Sequence, residues 1–180
     1  MSKQQNRVHP ASTVVILKQK TNCPFELLLL RRNKSLSFHG GAWVFPGGRI
    51  DPIDYQKASS QDEMIAARYA AVRETYEEAG ISIQPDQLIL FSRWTTPPGM
   101  HKRFKTWFFV TSIHQTQIMV DGSEIQDYEW YTPIDAIHAH RMGKIKLPIP
   151  TYVTIEQFIP FTTVEEVLQT YQKLPPTIFD

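Results

Sequence analysis

GGRIDPIDYQKASSQDEMIAARYAAVRETYEEAGI, residues 47–81, is the stretch on which the reading of this chain turns. It opens on a glycine turn, passes through a polar loop and ends in a helix crowded with carboxylates. Ser60 and Glu63 have the S-x-x-E spacing of a capping box, and Gly80 supplies a left-handed stop. Within the helix, Ile65, Tyr69, Val72, Tyr76 and Ala79 recur at spacings of four and three, which predicts an apolar stripe facing the core. At about 100° per residue Glu74, Glu77 and Glu78 then project from the far side and converge on one patch.

A solvated acidic face is the plain alternative for such a patch. Two features argue against it. The acids stand at the helix C-terminal end, where the macrodipole disfavours negative charge, so helix stability does not account for them. Arg73 lies beside them, and the neighbouring Ala66, Ala67, Ala70 and Ala71 let other backbone come close. Carboxylate oxygens at this density suit a hard divalent cation such as Mg²⁺ or Mn²⁺.

Arg73-Glu74-Thr75-Tyr76-Glu77-Glu78-Ala79-Gly80-Ile81, preceded by Pro46-Gly47-Gly48, resembles the signature of the Nudix hydrolases. The R-E-x-x-E-E-x-G half matches almost position for position, with Thr75 in a slot that is usually apolar. The first half departs from the pattern. Its spacer is long, and Ile65 occupies the slot eight residues before Arg73 that normally holds a supporting glutamate. The resemblance implies an α/β/α sandwich, an α+β fold with a mixed sheet between helices. It also implies Mg²⁺- or Mn²⁺-dependent cleavage of a nucleoside diphosphate derivative.

Carried over residue by residue, Glu74 and Glu78 match the principal metal ligands and Glu77 a third. Gly48 matches the glycine whose carbonyl can join the metal shell, and Arg73 the arginine that orients the carboxylates. Arg73, Glu77 and Glu78 are accordingly the expected catalytic residues. For the general base, the segment 124–130 is similar to the loop that supplies a second carboxylate in many relatives; Glu124 fits better there than Glu129.

Leu29-Leu30-Arg31-Arg32, Ser35-Leu36, His39 and Phe45-Pro46-Gly47-Gly48 with Asp51 are similar to the segment leading into the box of coenzyme A diphosphatases. In that branch the long spacer and the missing first glutamate are expected. Coenzyme A or an acyl-CoA is therefore the preferred substrate, with ADP-ribose, dinucleoside polyphosphates or an oxidised nucleotide as alternatives. Arg31, His39, Arg103 and Lys105 are the expected substrate-binding residues. The basic cluster His101-Lys102-Arg103-Phe104-Lys105 could hold phosphates while aromatics stack on adenine, or could be an exposed hairpin end. A non-catalytic ligand-binding or regulatory module on the same fold is the competing class. A homodimer is expected by analogy alone.

The rest of the chain bounds these readings. At 180 residues it fits one domain over residues 11–180, after a disordered lead-in at 1–10. A net charge of +1 gives no global field to recruit nucleic acid or an anionic membrane, and an RNA-decapping role is weak for the same reason. The longest apolar run, Leu27–Leu30, is far short of a membrane span, and the N-terminus lacks the apolar core of a signal peptide. Cys23 is the single cysteine, a turn residue by its Asn-Cys-Pro setting, which fits a reducing cytoplasm. His138 and His140 face different ways on a helix and predict no zinc site.

Strands are expected over Thr13–Gln19 and Phe25–Arg32 as a hairpin, then a short strand Ala42–Phe45 delivering the Pro46-Gly47-Gly48 turn. The loop 49–59 reads as too polar for core. A strand begins at Pro85 and runs toward Trp94, followed by Lys105–Ile113 and Ile125–Tyr131. Thr132-Pro133 opens a helix to about His140, and helices follow over Tyr152–Phe158 and Val164–Leu174, the last capped by Thr162 and Glu165.

Overall fold

β1 and β2 set the architecture, because both are apolar on two faces. The computed structural model describes residues 7–21, 24–100, 102–114 and 117–180. β1 (Val8–Lys18) sends Val15 and Leu17 to one side of the sheet and Val14 and Ile16 to the other; β2 (Glu26–Arg32) divides Leu27 and Leu29 from Leu28 and Leu30 in the same way. Strands buried on both faces need a helical layer on each. Helix α2 (Glu63–Ala79) covers the Val14 face, while α3 (Pro133–Arg141), α4 (Ile149–Phe158) and α5 (Val164–Lys173) cover the Val15 face. The result is the expected α/β/α sandwich around a mixed sheet.

The remaining strands are β3 (Trp43–Val44), β4 (Gly47–Arg49), β5 (Ile89–Thr95), β6 (Arg103–Ser112), β7 (Ile125–Tyr131) and β8 (Thr177–Phe179). The main path runs β3-β2-β1-β6-β5-β8, with β4 on β1 and β7 on β2. The hairpin expected of β1 and β2 is nearly absent, since they pair only at Leu17↔Leu27 and Lys18↔Glu26. β1 instead runs parallel to β6 over ten residue pairs, from Val8↔Arg103 to Leu17↔Ser112. Below that short contact the sheet splits. The segment 43–49 crosses the split, pairing with β2 through Trp43 and Val44 and with β1 through Gly47, Gly48 and Arg49. The glycine turn is thus a strand.

Further expectations change. Val8–Pro10 belong to β1, so the lead-in does not reach residue 10, and residues 1–6 lie outside the described residues, as do Asn22 and Cys23 of the expected turn. The polar loop 49–59 contains helix α1 (Pro52–Ala58), with Pro52 at its first turn, Ser59 left-handed at its end and Asp54 fully buried. Helix α2 is capped by Asp62, which accepts from the amides of Met64 and Ile65, while Ser60 Oγ accepts from Asp62 N. Likewise α5 is capped by Thr163 with Glu166, one residue beyond the expected pair. Pro85–Gln87 form a 3₁₀ turn before β5, and β8 is an added edge strand.

The largest revision concerns which face of α2 is buried. Ala66, Ala67, Ala70, Ala71, Thr75, Glu78 and Ala79 face the sheet, whereas Tyr76 is 62% exposed. Small side chains win here because they let the helix backbone lie close against β1 and β4. Glu78 therefore sits on the core face, with Glu74 one turn before it.

Candidate functional site

The close approach of α2 brings its carboxylates against the backbone of β4. Glu78 is 5% exposed, and its Oε2 accepts from Gly47 N at 2.9 Å. A Cβ at Gly48 would lie 2.3 Å from Glu74 Oε1, so any side chain there would push that carboxylate aside. At Gly47, φ is +156° and a Cβ would stand 2.3 Å from Ser12 O. Two adjacent glycines leave the carboxylates with backbone as their neighbour.

Burial pushes the Glu78 carboxyl up to about 8; the Gly47 N–H and Arg32 work against this, and Glu74 and Glu124 add to it. Burial likewise raises Glu74, opposed by Arg73 and reinforced by Glu77 and Glu124. Glu124 is exposed, its backbone fixed by Asp121 Oδ2 at 2.8 Å and by its carbonyl's bond from Asn33 N at 2.7 Å. Its charge is felt by both acids, whereas the Glu129 carboxylate accepts from the next amide, Trp130 N, and its charge is felt by Tyr131.

Arg73 is the hub of the site. Its Nη1 donates to Glu74 Oε1 at 2.8 Å and to Glu77 Oε2 at 3.2 Å, and its Nη2 donates to Arg49 O at 3.0 Å. On the other side Nε and Nη2 grip Asp54 at 3.1 and 2.9 Å, a two-pronged pair with a fully buried carboxylate. The Asp54 hydrogen bond is the largest of the effects that raise the Arg73 guanidinium above its ordinary value. Sequence reasoning missed Asp54. The Asp51-Pro52-x-Asp54 spacing was the available signal, a cap and proline that start a helix, with Asp54 accepting from Asp51 N at 2.9 Å.

The donor set fits a hard divalent cation by its chemistry: buried Glu78, half-buried Glu74 and exposed Glu77 lie together beside backbone that a Cβ would otherwise fill. As they stand, Glu74 and Glu77 are both drawn onto Arg73, and among the described residues no group of three acidic, imidazole or thiol side chains is arranged to hold a metal ion.

The expected substrate residues are scattered. Arg31 stands on the α3–α5 side of β2, ion-paired with Asp127 at 3.4 Å and 5.9 Å from the Trp43 ring; Arg32, the next residue along the strand, is the one felt by Glu78. Lys105 holds Glu63 Oε1 at 2.8 Å at the start of α2. That end of the helix lies about 22 Å from Glu78 at ~1.5 Å rise per residue. Arg103 Nε donates to Thr96 O at 3.0 Å, and His39 is exposed with its ring edge-on to Phe38 at 4.1 Å. His101 lies outside the described residues. A groove of about 900 Å³ borders the Arg49 side of the site, lined by Arg7, His9, Arg49, Asp51, Tyr55 and Gln56. No helix among the described residues is long and apolar enough to cross a membrane.

The NUDIX domain family matches residues 7–149. Acyl-coenzyme A diphosphatase NUDT19 of Xenopus laevis is 22% identical over 242 aligned positions, covering 83% of this chain and 64% of that protein. Peroxisomal coenzyme A diphosphatase ndx-8 of Caenorhabditis elegans is 32% identical over 80 residues, covering 44% of this chain and 30% of its own length. The chain thus spans less than two thirds of either relative. Among solved structures, a NUDIX hydrolase from Alicyclobacillus acidocaldarius superposes with a TM-score of 0.83 at 23% identity, covering 94% of this chain and 99% of that one.

Proposed function

The chain belongs to the Nudix family, and from that premise we propose that it hydrolyses the diphosphate linkage of a nucleoside diphosphate derivative, with coenzyme A or an acyl-CoA as the preferred substrate. The observation that carries this is the packing of Glu74 and Glu78 against the Gly47–Gly48 backbone, with Arg73 set between Glu74, Glu77 and Asp54. Arg73 compensates Glu74 and Glu77, whereas buried Glu78 makes no salt bridge among the described residues, and a divalent cation would compensate it.

Glu74, Glu77, Glu78 and the Gly48 carbonyl are the groups that would hold Mg²⁺ or Mn²⁺. A divalent cation in that position supplies charge neutralisation at the phosphate oxygens and a lowered pKa for the attacking water. Arg73, fixed by Asp54, keeps the carboxylates oriented. Glu124, exposed and close enough to raise both Glu74 and Glu78, is the proposed general base. The coenzyme A preference is supported by the likeness to two coenzyme A diphosphatases and by the lengthened segment ahead of α2.

A non-catalytic ligand-binding module is the second reading, favoured by the sharing of Arg73 between Glu74 and Glu77. One experiment separates them. The chain is assayed with Mg²⁺ against coenzyme A, acetyl-CoA, ADP-ribose and diadenosine tetraphosphate, alongside Glu78→Gln. Turnover highest on coenzyme A, and lost in the variant without loss of melting temperature, supports the enzyme. If coenzyme A ranks among the poorest substrates the preference fails, and if no diphosphate is cleaved the module reading stands.

A further inference from the structure

On the α3–α5 side of the split, three rings form a row that neither core accounts for. His9 and Phe104 lie 6.0 Å apart between centroids, and Phe38, from the loop after β2, lies 5.6 Å beyond Phe104. Neither Phe38 nor Phe104 belongs to the two hydrophobic cores, and Phe38 is 38% exposed. Cations close both ends of the row. Lys102 Nζ stands 6.0 Å over the Phe38 ring, and Arg49 Nη2 meets His9 Nδ1 at 2.7 Å. Arginine has only donors, so Nδ1 accepts and the neutral ring keeps its proton on Nε2, free to donate.

We propose that the row Phe38–Phe104–His9, bracketed by Lys102 and Arg49, is the subsite for the planar base of the substrate and a phosphate next to it. Aromatic faces take any nucleobase by stacking, and the flanking cations suit a phosphorylated nucleoside better than a free base or a peptide. Arg49 links the row to the carboxylates: it follows Gly48 on β4, and its carbonyl accepts from Arg73 Nη2 at 3.0 Å. Gly48 pairs with Ser12 and Phe104 with His9, on opposite edges of β1 and three residues apart along it. At roughly 3.3 Å per residue and about 4.8 Å per strand their backbones stand about 14 Å apart.

The inference deepens the diphosphatase reading and depends on it for the reacting half of the ligand, not for the base. Two variants test it: Phe38→Ala, at an exposed position, and Phe104→Leu, which keeps apolar volume and removes the ring. Calorimetry measures the binding of adenosine 5′-monophosphate and, separately, of 4′-phosphopantetheine. Kinetics on coenzyme A are followed in parallel. The expected result is a loss of adenosine monophosphate affinity and a rise in KM of about 5- to 150-fold, with kcat and phosphopantetheine binding unchanged. Unchanged adenosine monophosphate affinity in both variants overturns the subsite, as does selective loss of phosphopantetheine binding or no nucleotide binding by the parent. If the parent fails to cleave coenzyme A while the variants still lose adenosine monophosphate binding, the coenzyme A preference fails and the base subsite stands.

Discussion

Asp54→Asn removes one charge and almost no volume from the interior. Asp54 is fully buried, and Arg73 reaches both of its oxygens, at 3.1 and 2.9 Å. Removing one partner of a buried pair costs about 3–5 kcal/mol, because the other charge is left without compensation. Arg73 would keep Glu74 at 2.8 Å and the Arg49 carbonyl at 3.0 Å, which places the cost at the lower end, about 3 kcal/mol. For a domain of this size that lowers Tm by ~6–12 °C in a thermal scan. Without Asp54 as a fixed point, Arg73 swings onto Glu74 and Glu77, and kcat/KM should fall about 10- to 100-fold, the effect typical of losing a residue that orients the groups around a metal. A double-mutant cycle with Arg73→Gln should return a coupling of at least ~1 kcal/mol. A variant melting within ~2 °C of the parent, with additive behaviour in the cycle, would refute the claim that Asp54 holds Arg73 in place.

Other consequences are open to measurement. Gly48→Ala drives a methyl into the Glu74 carboxylate, where the gap is 2.3 Å; metal-dependent turnover should drop about 10- to 100-fold while far-UV circular dichroism is unchanged, and full activity would show that Glu74 is free to move. Glu78 is raised from 4.5 to about 8 in the metal-free fold, so between those values the folded chain holds a proton that the unfolded chain has released. Stability of the metal-free protein should therefore fall as pH rises from about 5 to 8, and Glu78→Gln should flatten that slope; a parent Tm that climbs over the same range contradicts the burial argument. Arg31→Gln and Lys105→Gln should leave KM within about threefold of the parent, since Arg31 is held by Asp127 and Lys105 by Glu63 at the far end of α2. A larger rise in KM would return those residues to the substrate site.

Strand and helix identity was legible wherever periodicity and punctuation agreed. Ile125–Tyr131 is a strand over the expected residues, and Thr132-Pro133 opens α3 as its cap and proline predict. The failures share a cause. β1 and β2 carry apolar runs on either side of a turn, a pattern that reads as a hairpin, yet β1 pairs along its length with β6, some 95 residues away in sequence, and takes the segment 46–50 on its other edge. Local pattern carries no information on that choice, because the competing partners are equally apolar. The buried face of α2 failed for a related reason: size-weighted hydrophobicity favours Tyr69 and Tyr76 over alanine, but the sheet lies too close for a tyrosine. Alanine wins on distance, and the helix turns enough to carry Glu78 into the core.

That rotation carries Glu78 from the far side of the helix, where the spacing places it with Glu74 and Glu77, onto the core face, while Glu77 stays exposed. A patch pointing to solvent would leave each carboxylate near its ordinary pKa and free of the backbone; here Glu78 is fixed by Gly47 N–H and perturbed by burial. The vacancy at Ile65 takes on a different meaning in the same light. The supporting acid expected there, two turns ahead of Arg73, has its counterpart in Asp54, which comes from α1 in the lengthened segment and reaches Arg73 through space. A motif search that scores position 65 counts a defect, because it compares residues by spacing along the chain. Arg73 requires only a desolvated carboxylate within about 3 Å, and an inserted helix delivers one as well as its own helix could. Restoring an acid at position 65 by Ile65→Glu, while Asp54 remains, should therefore gain nothing in kcat/KM on a diphosphate substrate, and a gain would show that Asp54 does not fill that role.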